Sequence, residues 1–250
     1  MLVFKRKIKK LLHLWNGRSC PICGARFDAY EETGTTAIVW EELYGVGAGK
    51  RKAICPHCGS SDRERLVFLY FRDYYLPSHK GEKLKMFHVA PETNLSDFLR
   101  SQAGMEYVAG DKRCEGYSYP DYVQDVDIMD MSEVTDDTFD IIVCNHVLEH
   151  VPDDVVAMKE LRRVLKPEGI AVLQVPYAMK LERTFEDKSI IAPEERFRAY
   201  GQSDHVRLYG MDYPDRLKRA GFKVEALDIA WKYPKKFGLN SKELLFVCHK

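Results

Sequence analysis

The sequence predicts an α/β protein in which a doubly wound, largely parallel sheet follows a small metal-binding module. From residue 84 onward, short apolar runs alternate with amphipathic helical stretches, which is typical of βαβ units and a parallel sheet. Before them, residues 18–60 form a Cys- and Gly-rich stretch that contains two C-x-x-C pairs. We therefore expect a metal-binding module at 18–60, a connecting helix and loop at 61–83, and an α/β domain at 84–250.

Composition and charge exclude several classes of protein. In the 250 residues, 38 Lys plus Arg balance 38 Asp plus Glu. A net charge of zero argues against a surface that binds nucleic acid throughout, although local basic patches remain an option. No apolar run approaches the ~20 residues of a transmembrane helix, so we expect none. Seven cysteines are an odd number, and four of them lie in C-x-x-C pairs. This indicates reduced thiols and a cytoplasmic protein.

The N-terminal segment has its own pattern. Residues 1–17 carry several basic side chains and no acidic one, and their apolar residues recur at helical spacing, which predicts a basic amphipathic helix. One interpretation is peripheral attachment to the anionic inner face of a membrane. The favoured interpretation is a terminal helix that docks on its own protein and leaves its lysines in solvent.

The two cysteine pairs are near copies of one another. Cys20 and Cys23 form the first pair, Cys55 and Cys58 form the second, and a glycine follows each. A tight turn at each pair points both sulfurs at one ion, and four thiolates are the tetrahedral set that Zn²⁺ favours. Four protein ligands close the coordination sphere, so the predicted zinc ion is structural.

The elements that follow are predicted from their periodicity. In chain order, the first are a helix at 62–76, a strand at 85–90, a helix that ends before Gly104, strands at 106–110 and 139–144, a helix at 152–165 and a strand at 170–175. Asp111 stands at the carboxyl end of the second strand. In doubly wound sheets, an acidic residue at this place accepts hydrogen bonds from ribose hydroxyls.

Two stretches carry a resemblance to a known family. Residues 138–150 read Thr-Phe-Asp-Ile-Ile-Val-Cys-Asn-His-Val-Leu-Glu-His, and residues 160–169 read Glu-Leu-Arg-Arg-Val-Leu-Lys-Pro-Glu-Gly. Both resemble the class I S-adenosylmethionine-dependent methyltransferases, specifically the type 11 group. The resemblance covers about residues 84–178. It implies a Rossmann-like, seven-stranded methyltransferase sheet and the use of S-adenosyl-L-methionine.

The same resemblance implies positions for the later elements. The third strand falls at 122–127, a late strand at 221–225 after a helix at 213–220, and a last, antiparallel strand at 244–248. Residues 178–212 correspond to the insertion in which this family builds its acceptor pocket.

The first turn of the sheet departs from the family. The usual G-x-G-x-G loop is replaced by Ala90-Pro-Glu-Thr-Asn94, which has no glycine. A bacterial subgroup with a similar first loop and N-terminal cysteine pairs implies that cofactor binding is retained. The residues that the resemblance assigns to the cofactor are Ala90 and Glu92 at its methionine end, Asn145 under the sulfonium, Asp111 at the ribose, and Asp130 with Met131 at the adenine.

Two polar clusters are candidates for catalysis and acceptor binding. His146 and His150 follow the fourth strand, at the edge where ligands bind in such sheets. His150 is the first candidate for a general base, since an imidazole titrates near neutrality; a hydrogen bonder at the start of a helix is the equal alternative. His205 is a second catalytic candidate. His146, Arg207 and Tyr209 are candidates for acceptor binding, with an ordinary ion pair as the alternative for Arg207.

Three functions are therefore compared. The first is methylation of a hydroxyl on a small molecule or glycan precursor, which the resemblance favours. The second is an RNA methyltransferase that uses the zinc module to dock RNA, because basic residues lie near the cysteine pairs. The third is a non-catalytic scaffold that binds a cofactor or a partner, suggested by the glycine-free loop. The sequence predicts neither the acceptor nor an oligomeric state.

Overall fold

The computed structural model describes residues 17–113 and 118–250. Residues 1–16 of the predicted basic helix lie outside them. The strands are β1 (Arg18–Ser19), β2 (Arg26–Phe27), β3 (Glu31–Thr33), β4 (Gly45–Val46), β5 (Arg51–Ile54), β6 (Leu84–Val89), β7 (Met105–Asp111), β8 (Val123–Asp125), β9 (Phe139–Asn145), β10 (Leu165–Gln174), β11 (Tyr177–Ala178), β12 (Lys223–Leu227) and β13 (Leu245–His249). The helices are α1 (Ile38–Glu42), α2 (Asp62–Tyr70), α3 (Leu76–Ser78), α4 (Thr93–Arg100), α5 (Asp154–Val164), α6 (Pro193–Tyr200) and α7 (Tyr213–Arg219).

Seven strands form the central sheet in the order β12-β13-β10-β9-β6-β7-β8. Neighbouring strands from β8 to β10 pair in parallel, whereas β13 runs antiparallel to both β10 and β12. One face of the sheet packs against α5 and α7, and the other packs against α2 and α4. This arrangement confirms the predicted Rossmann-like, doubly wound fold.

The connection into the sheet is longer than the sequence pattern predicts. Helix α2 begins at a capping box, in which Ser61 accepts from the Glu64 amide and Glu64 accepts from the Ser61 amide. The helix then continues through a π-helical turn (Phe71–Tyr75) into α3, beyond the predicted end at residue 76. Pro77 does not stop it, because proline is tolerated in the first turn of α3, where no amide donor is needed.

The Cys-rich module contains only short elements and is joined to the large domain by several contacts. Its strand β4 pairs with β11 of the insertion. Arg65, at the start of the connecting helix, is fully buried and donates to backbone carbonyls on both sides, including those of Ser60 and Phe237. In the part of the chain that the structure describes, no helix is long and apolar enough to cross a membrane.

Candidate active site between two cavities

The four cysteine sulfurs of the two pairs converge at one point. Cys20 Sγ lies 3.7 Å from Cys58 Sγ, and Cys23 Sγ lies 3.8 Å from Cys55 Sγ. A tetrahedral ion with Zn–S bonds of about 2.3 Å separates its sulfurs by about 3.8 Å. The glycine after each pair adopts a positive φ, which lets its amide turn back to the carbonyl of the first cysteine. The donor set and its spacing therefore fit a zinc ion.

A large cavity of about 670 Å³ opens at the carboxyl edge of the sheet. It is lined by residues that follow four successive strands, among them Ala90, Asp111, Ile128, Met129 and His146. In doubly wound folds, ligands bind at this edge, where the strand order reverses. Of the six residues that the resemblance assigns to the cofactor, Ala90 and Asp111 line this cavity.

The glycine-free first turn keeps this cavity open. Ala90 adopts the left-handed conformation, with a φ of 46°, that a glycine takes more readily. Its side chain and that of Pro91 line the large cavity. Glu92 turns away beneath them, where one carboxylate oxygen lies 3.2 Å from His88 Nε2 and the other accepts a 2.6 Å hydrogen bond from Asn145 Nδ2. Neither Glu92 nor Asn145 lines the large cavity, so the structure does not bring them to the methionine end and the sulfonium as the resemblance implied.

The two residues that the resemblance assigns to the adenine, Asp130 and Met131, do not lie at the large cavity. Asp130 is exposed and bonds its own turn, and Met131 is buried in the core, where its amide donates to Glu160. Neither lines the large cavity; Asp127 and Met129 do. The reason is that β8 ends at Asp125, two residues before the predicted end of this strand, so that the chain reaches the cavity earlier.

A small cavity of about 240 Å³ lies between the Cys-rich module and the large domain. The module lines it with Thr35, Trp40 and the glycines at 47 and 49, and the large domain lines it with His146, Glu149, His150 and His205. Arg51 and Arg63 also border it. The sequence gives no sign of this cavity, because its two halves lie about a hundred residues apart in the chain.

The module is fixed over this cavity by the insertion that follows the fifth parallel strand. The Thr35 hydroxyl donates a 2.7 Å hydrogen bond to the carbonyl of Gly201. The buried indole of Trp40 packs against Tyr200, and a Cβ on Gly201 would lie 1.9 Å from the indole nitrogen. Residue 201 ends α6 with a φ of 84°, which glycine adopts without strain.

His146 and His150 border both cavities. His146 is buried, has a φ of 56°, and makes no hydrogen bond through either ring nitrogen; its Nδ1 lies 3.4 Å from Glu149 Oε1. Burial lowers the pKa of His146 to about 4, so its ring is neutral near pH 7. Burial alone would raise the pKa of Glu149, but the neighbouring imidazoles outweigh it and the pKa is lowered.

Arg207 and Tyr209 lie behind the histidine segment and line neither cavity. The buried Arg207 guanidinium donates to the carbonyls of Leu148, Val151 and Pro152. The Tyr209 hydroxyl donates to Asp154 at 2.8 Å. These residues therefore position the turn that carries His146 and His150, which corrects the acceptor-binding role expected from the sequence. His205, by contrast, does line the small cavity.

The turn is held further by a buried ion pair. Arg216 donates to both carboxylate oxygens of Asp154, at 2.6 and 2.9 Å. Burial alone would raise the pKa of Asp154, but the bonds from Arg216 and the charges of Arg207 and Arg216 lower it. Asp154 is therefore ionised, and helix α5 begins at a fixed place beside the site.

Comparisons with known proteins bear on the large domain. Residues 99–173 match the family described as "Methyltransferase domain". No curated protein sequence matches the chain. Among solved structures, an S-adenosylmethionine-dependent methyltransferase from Archaeoglobus fulgidus is similar at 15% identity and a TM-score of 0.45, over 75% of this chain and 94% of that one.

Two further structures are similar at the same low level. One is a complex of the Haloferax volcanii methyltransferase activator Trm112 with a methyltransferase, at 16% identity and a TM-score of 0.44, over 74% of this chain and 93% of that one. The other is the methyltransferase CalH in complex with S-adenosylhomocysteine, at 16% identity and a TM-score of 0.42, over 76% and 55%. Similarity at this level carries no information about the substrate.

The family match includes strands β7, β8, β9 and β10 of the seven-stranded sheet. The match covers 75 of the 250 residues and, with the sheet order, supports an enzyme that uses S-adenosylmethionine to transfer methyl groups. The expectation of an enzyme is confirmed.

Proposed function

We propose that this enzyme transfers the methyl group of S-adenosylmethionine to a hydroxyl of a small acceptor that carries an anionic group, such as a sugar acid or a sugar phosphate. The observation that supports it best is the shared border of the two cavities. Because His146 and His150 line both, a donor in the large cavity and an acceptor in the small cavity would meet beside these two side chains. Alignment of this kind supplies much of the rate of an in-line transfer.

The residues proposed to bind the methyl donor line the large cavity. Asp111, at the end of β7, would accept hydrogen bonds from the ribose, and Ile128 with Met129 would contact the adenine. Ala90 would lie at the methionine end. When bound, S-adenosylmethionine supplies an activated methyl group whose C–S bond breaks as an acceptor oxygen forms the new C–O bond, and the sulfur keeps the bonding electron pair.

The proton of the acceptor hydroxyl would go to His146. Both ring nitrogens of His146 lack a hydrogen-bond partner, and Glu149 stands beside Nδ1, where it would stabilise the protonated ring. The sequence pointed to His150 for this role. In the structure His150 Nδ1 lies 3.2 Å from Asp204, whereas His146 is the more buried of the two. We therefore propose His146 as the base.

We propose that Arg63 binds the anionic group of the acceptor. This side chain borders the small cavity, and its Nε is buried without a hydrogen-bond partner. Arg51, its neighbour at the same cavity, is already paired with Asp62 at 2.8 Å. An unpaired guanidinium nitrogen is costly unless a ligand accepts its hydrogen bond, and a carboxylate or phosphate does so best.

We propose that the Cys-rich module holds one structural zinc ion through Cys20, Cys23, Cys55 and Cys58. Its role would be to build one wall of the small cavity, because Trp40 and the segment around Gly47 belong to the module and line that cavity. The metal would act through the shape of the acceptor site, without touching the reacting atoms.

The RNA-docking alternative receives less support. Of the basic residues that suggested it, Arg65 is fully buried and bonds backbone carbonyls, Arg51 is paired with Asp62, and Lys50 lies 3.3 Å from Glu32. Three of the five basic residues are thus already paired, which leaves Lys52 and Arg63. The non-catalytic alternative rested on the glycine-free first turn, and the large cavity is open beside Ala90 and Pro91.

The proposal is tested by measuring S-adenosylhomocysteine release with matched acceptors, each pair consisting of a neutral sugar and its uronic acid or phosphate. Turnover that requires the anion, and that is lost in Arg63→Gln while cofactor affinity stays within about threefold, supports it. Equal turnover of the neutral partner overturns the anionic class. Filter binding against salt tests the alternative, since phosphate contacts with RNA predict a steep loss of affinity as salt rises.

A further inference from the structure

We propose a second metal site, distinct from the four cysteines, in which Glu149, His150 and His205 bind one divalent transition-metal ion at the border of the two cavities. One potential ligand atom from each residue lies within 4.8 Å of the others. Two imidazoles and one carboxylate form a ligand set that suits Mn²⁺, Fe²⁺ or Zn²⁺ and leaves coordination positions free. The inference rests on the proposed function, because the ion would sit where the acceptor binds.

The Glu149 carboxylate has an oxygen that is available to bind a cation. Glu149 is 1% exposed, and its Oε2 has no hydrogen-bond partner. Its Oε1 lies 3.4 Å from His146 Nδ1 and 4.0 Å from His150 Nε2. A buried carboxylate oxygen without a partner is costly, and a metal ion removes that cost.

Both imidazoles are oriented as metal ligands usually are. His150 Nδ1 lies 3.2 Å from a carboxylate oxygen of Asp204, and His205 Nδ1 lies 3.3 Å from the carbonyl of Tyr200. Metal-binding histidines commonly donate one ring N–H to such an acceptor, which fixes the ring and presents the other nitrogen to the ion. In each ring this leaves Nε2 for the metal.

The backbone holds the three residues together although they come from distant segments. The amide of Val206 donates a 2.9 Å hydrogen bond to the carbonyl of Glu149, so the loop with His205 is tied to the turn with His150. Arg207 then binds the carbonyls of that turn. The sequence separated these segments into two polar clusters, and the fold joins them into one.

The proposed ion would favour an anionic acceptor in the small cavity. Two neutral imidazoles and one carboxylate leave a divalent ion with a positive charge, beside the unpartnered Nε of Arg63. A hydroxyl oxygen on the ion would lose its proton more readily, and an adjacent carboxylate or phosphate of the acceptor would complete the coordination.

The test is a titration of Mn²⁺ into protein that already carries one equivalent of zinc, with free Mn²⁺ followed by electron paramagnetic resonance. We expect one further equivalent to bind. Glu149→Gln and His205→Ala should each weaken it at least tenfold, and Asp204→Asn should weaken it by about tenfold through His150. The matched control is His249→Ala, which removes a histidine that lies 3.5 Å from Glu225 and lines neither cavity.

Absence of saturable Mn²⁺ binding, or binding that survives Glu149→Gln and His205→Ala, overturns the proposal. Calorimetry with S-adenosylhomocysteine shows whether each variant is folded, since none of these residues lies at the ribose or adenine end of the large cavity. The proposals of methyl transfer and of a second metal site can be contradicted independently. Turnover that persists in EDTA, with no Mn²⁺ bound, would remove the metal site and leave methyl transfer intact.

Discussion

His146 and Glu149 form a buried pair in which the imidazole Nδ1 lies 3.4 Å from the carboxylate, and the imidazole borders both the large and the small cavity. The pair is built by the sharp turn that ends β9, where His146 adopts a φ of 56°. Strained backbone at this point aims the ring at the gap between the cavities. The account of methyl transfer depends on this geometry.

Replacement of His146 by Gln should remove the base while leaving the donor site intact. A positioned general base contributes roughly 10²- to 10⁴-fold to the rate, so we expect kcat to fall by that factor. The affinity for S-adenosylhomocysteine should change less than threefold. The measurement is steady-state turnover together with calorimetry, and His249→Gln is the control, expected to match the wild type. A kcat within threefold of wild type in His146→Gln would reject the base.

Loss of the zinc ion should affect the acceptor and spare the donor. Cys55→Ser removes one of the four sulfurs, and we expect the protein to lose one equivalent of zinc by mass spectrometry. Because the module lines the small cavity and not the large one, kcat/KM for the acceptor should fall at least a hundredfold while S-adenosylhomocysteine still binds. Cys248→Ala, at a buried cysteine in β13, should keep the zinc. If kcat/KM for the acceptor and the affinity for S-adenosylhomocysteine fell by the same factor, the module would be needed for the whole fold.

Docking of the module can be tested at a single glycine. In Gly201→Ala the new Cβ meets the Trp40 indole at 1.9 Å, in addition to the strain of a positive φ. Gly81→Ala has a similar φ but no atom within 4 Å of the new Cβ. We expect Gly81→Ala to cost about 1 kcal/mol of stability. Gly201→Ala should cost more and raise KM for the acceptor. Identical denaturation midpoints for the two variants would argue against a close contact between Trp40 and the insertion.

The Asp154–Arg216 pair predicts a loss of stability in acid. The folded pKa of Asp154 is lowered, so its contribution is present above the unfolded pKa of about 3.9 and is lost as the pH falls through the lower, folded value. At pH 7, Asp154→Asn should lower the free energy of unfolding by about 3–5 kcal/mol, since it breaks a buried pair. Thermal unfolding from pH 2 to pH 7 measures both effects.

The control for this prediction is the exposed pair Lys218–Asp215, which has a similar distance of 2.9 Å. Asp215→Asn should change stability by less than about 1 kcal/mol, because exposed ion pairs contribute little. If Asp154→Asn and Asp215→Asn were equally mild at pH 7, the buried pair would not hold the turn as described.

The sheet and the cysteine cluster could be predicted because their signals are local. Apolar runs such as 139–144 fix a buried strand, and C-x-x-C spacing brings two sulfurs together whatever the rest of the chain does. The role of Arg207 could not be predicted, because it depends on carbonyls of residues about fifty-five positions away. The small cavity was not predicted for the same reason. Its two walls come from distant parts of the chain, and neither wall carries a recognisable motif by itself. Asp130 was assigned to the adenine because the third strand was predicted to end two residues later than β8 does in the structure.

The most direct test of the central claim is calorimetric titration of S-adenosylhomocysteine into the wild type and into Asp111→Ala. The account predicts saturable binding of one molecule per chain, at least tenfold weaker in Asp111→Ala because the bonds to the ribose are lost, and unchanged in Asp97→Ala on the exposed side of α4. Absence of binding to the wild type at millimolar concentration would contradict it.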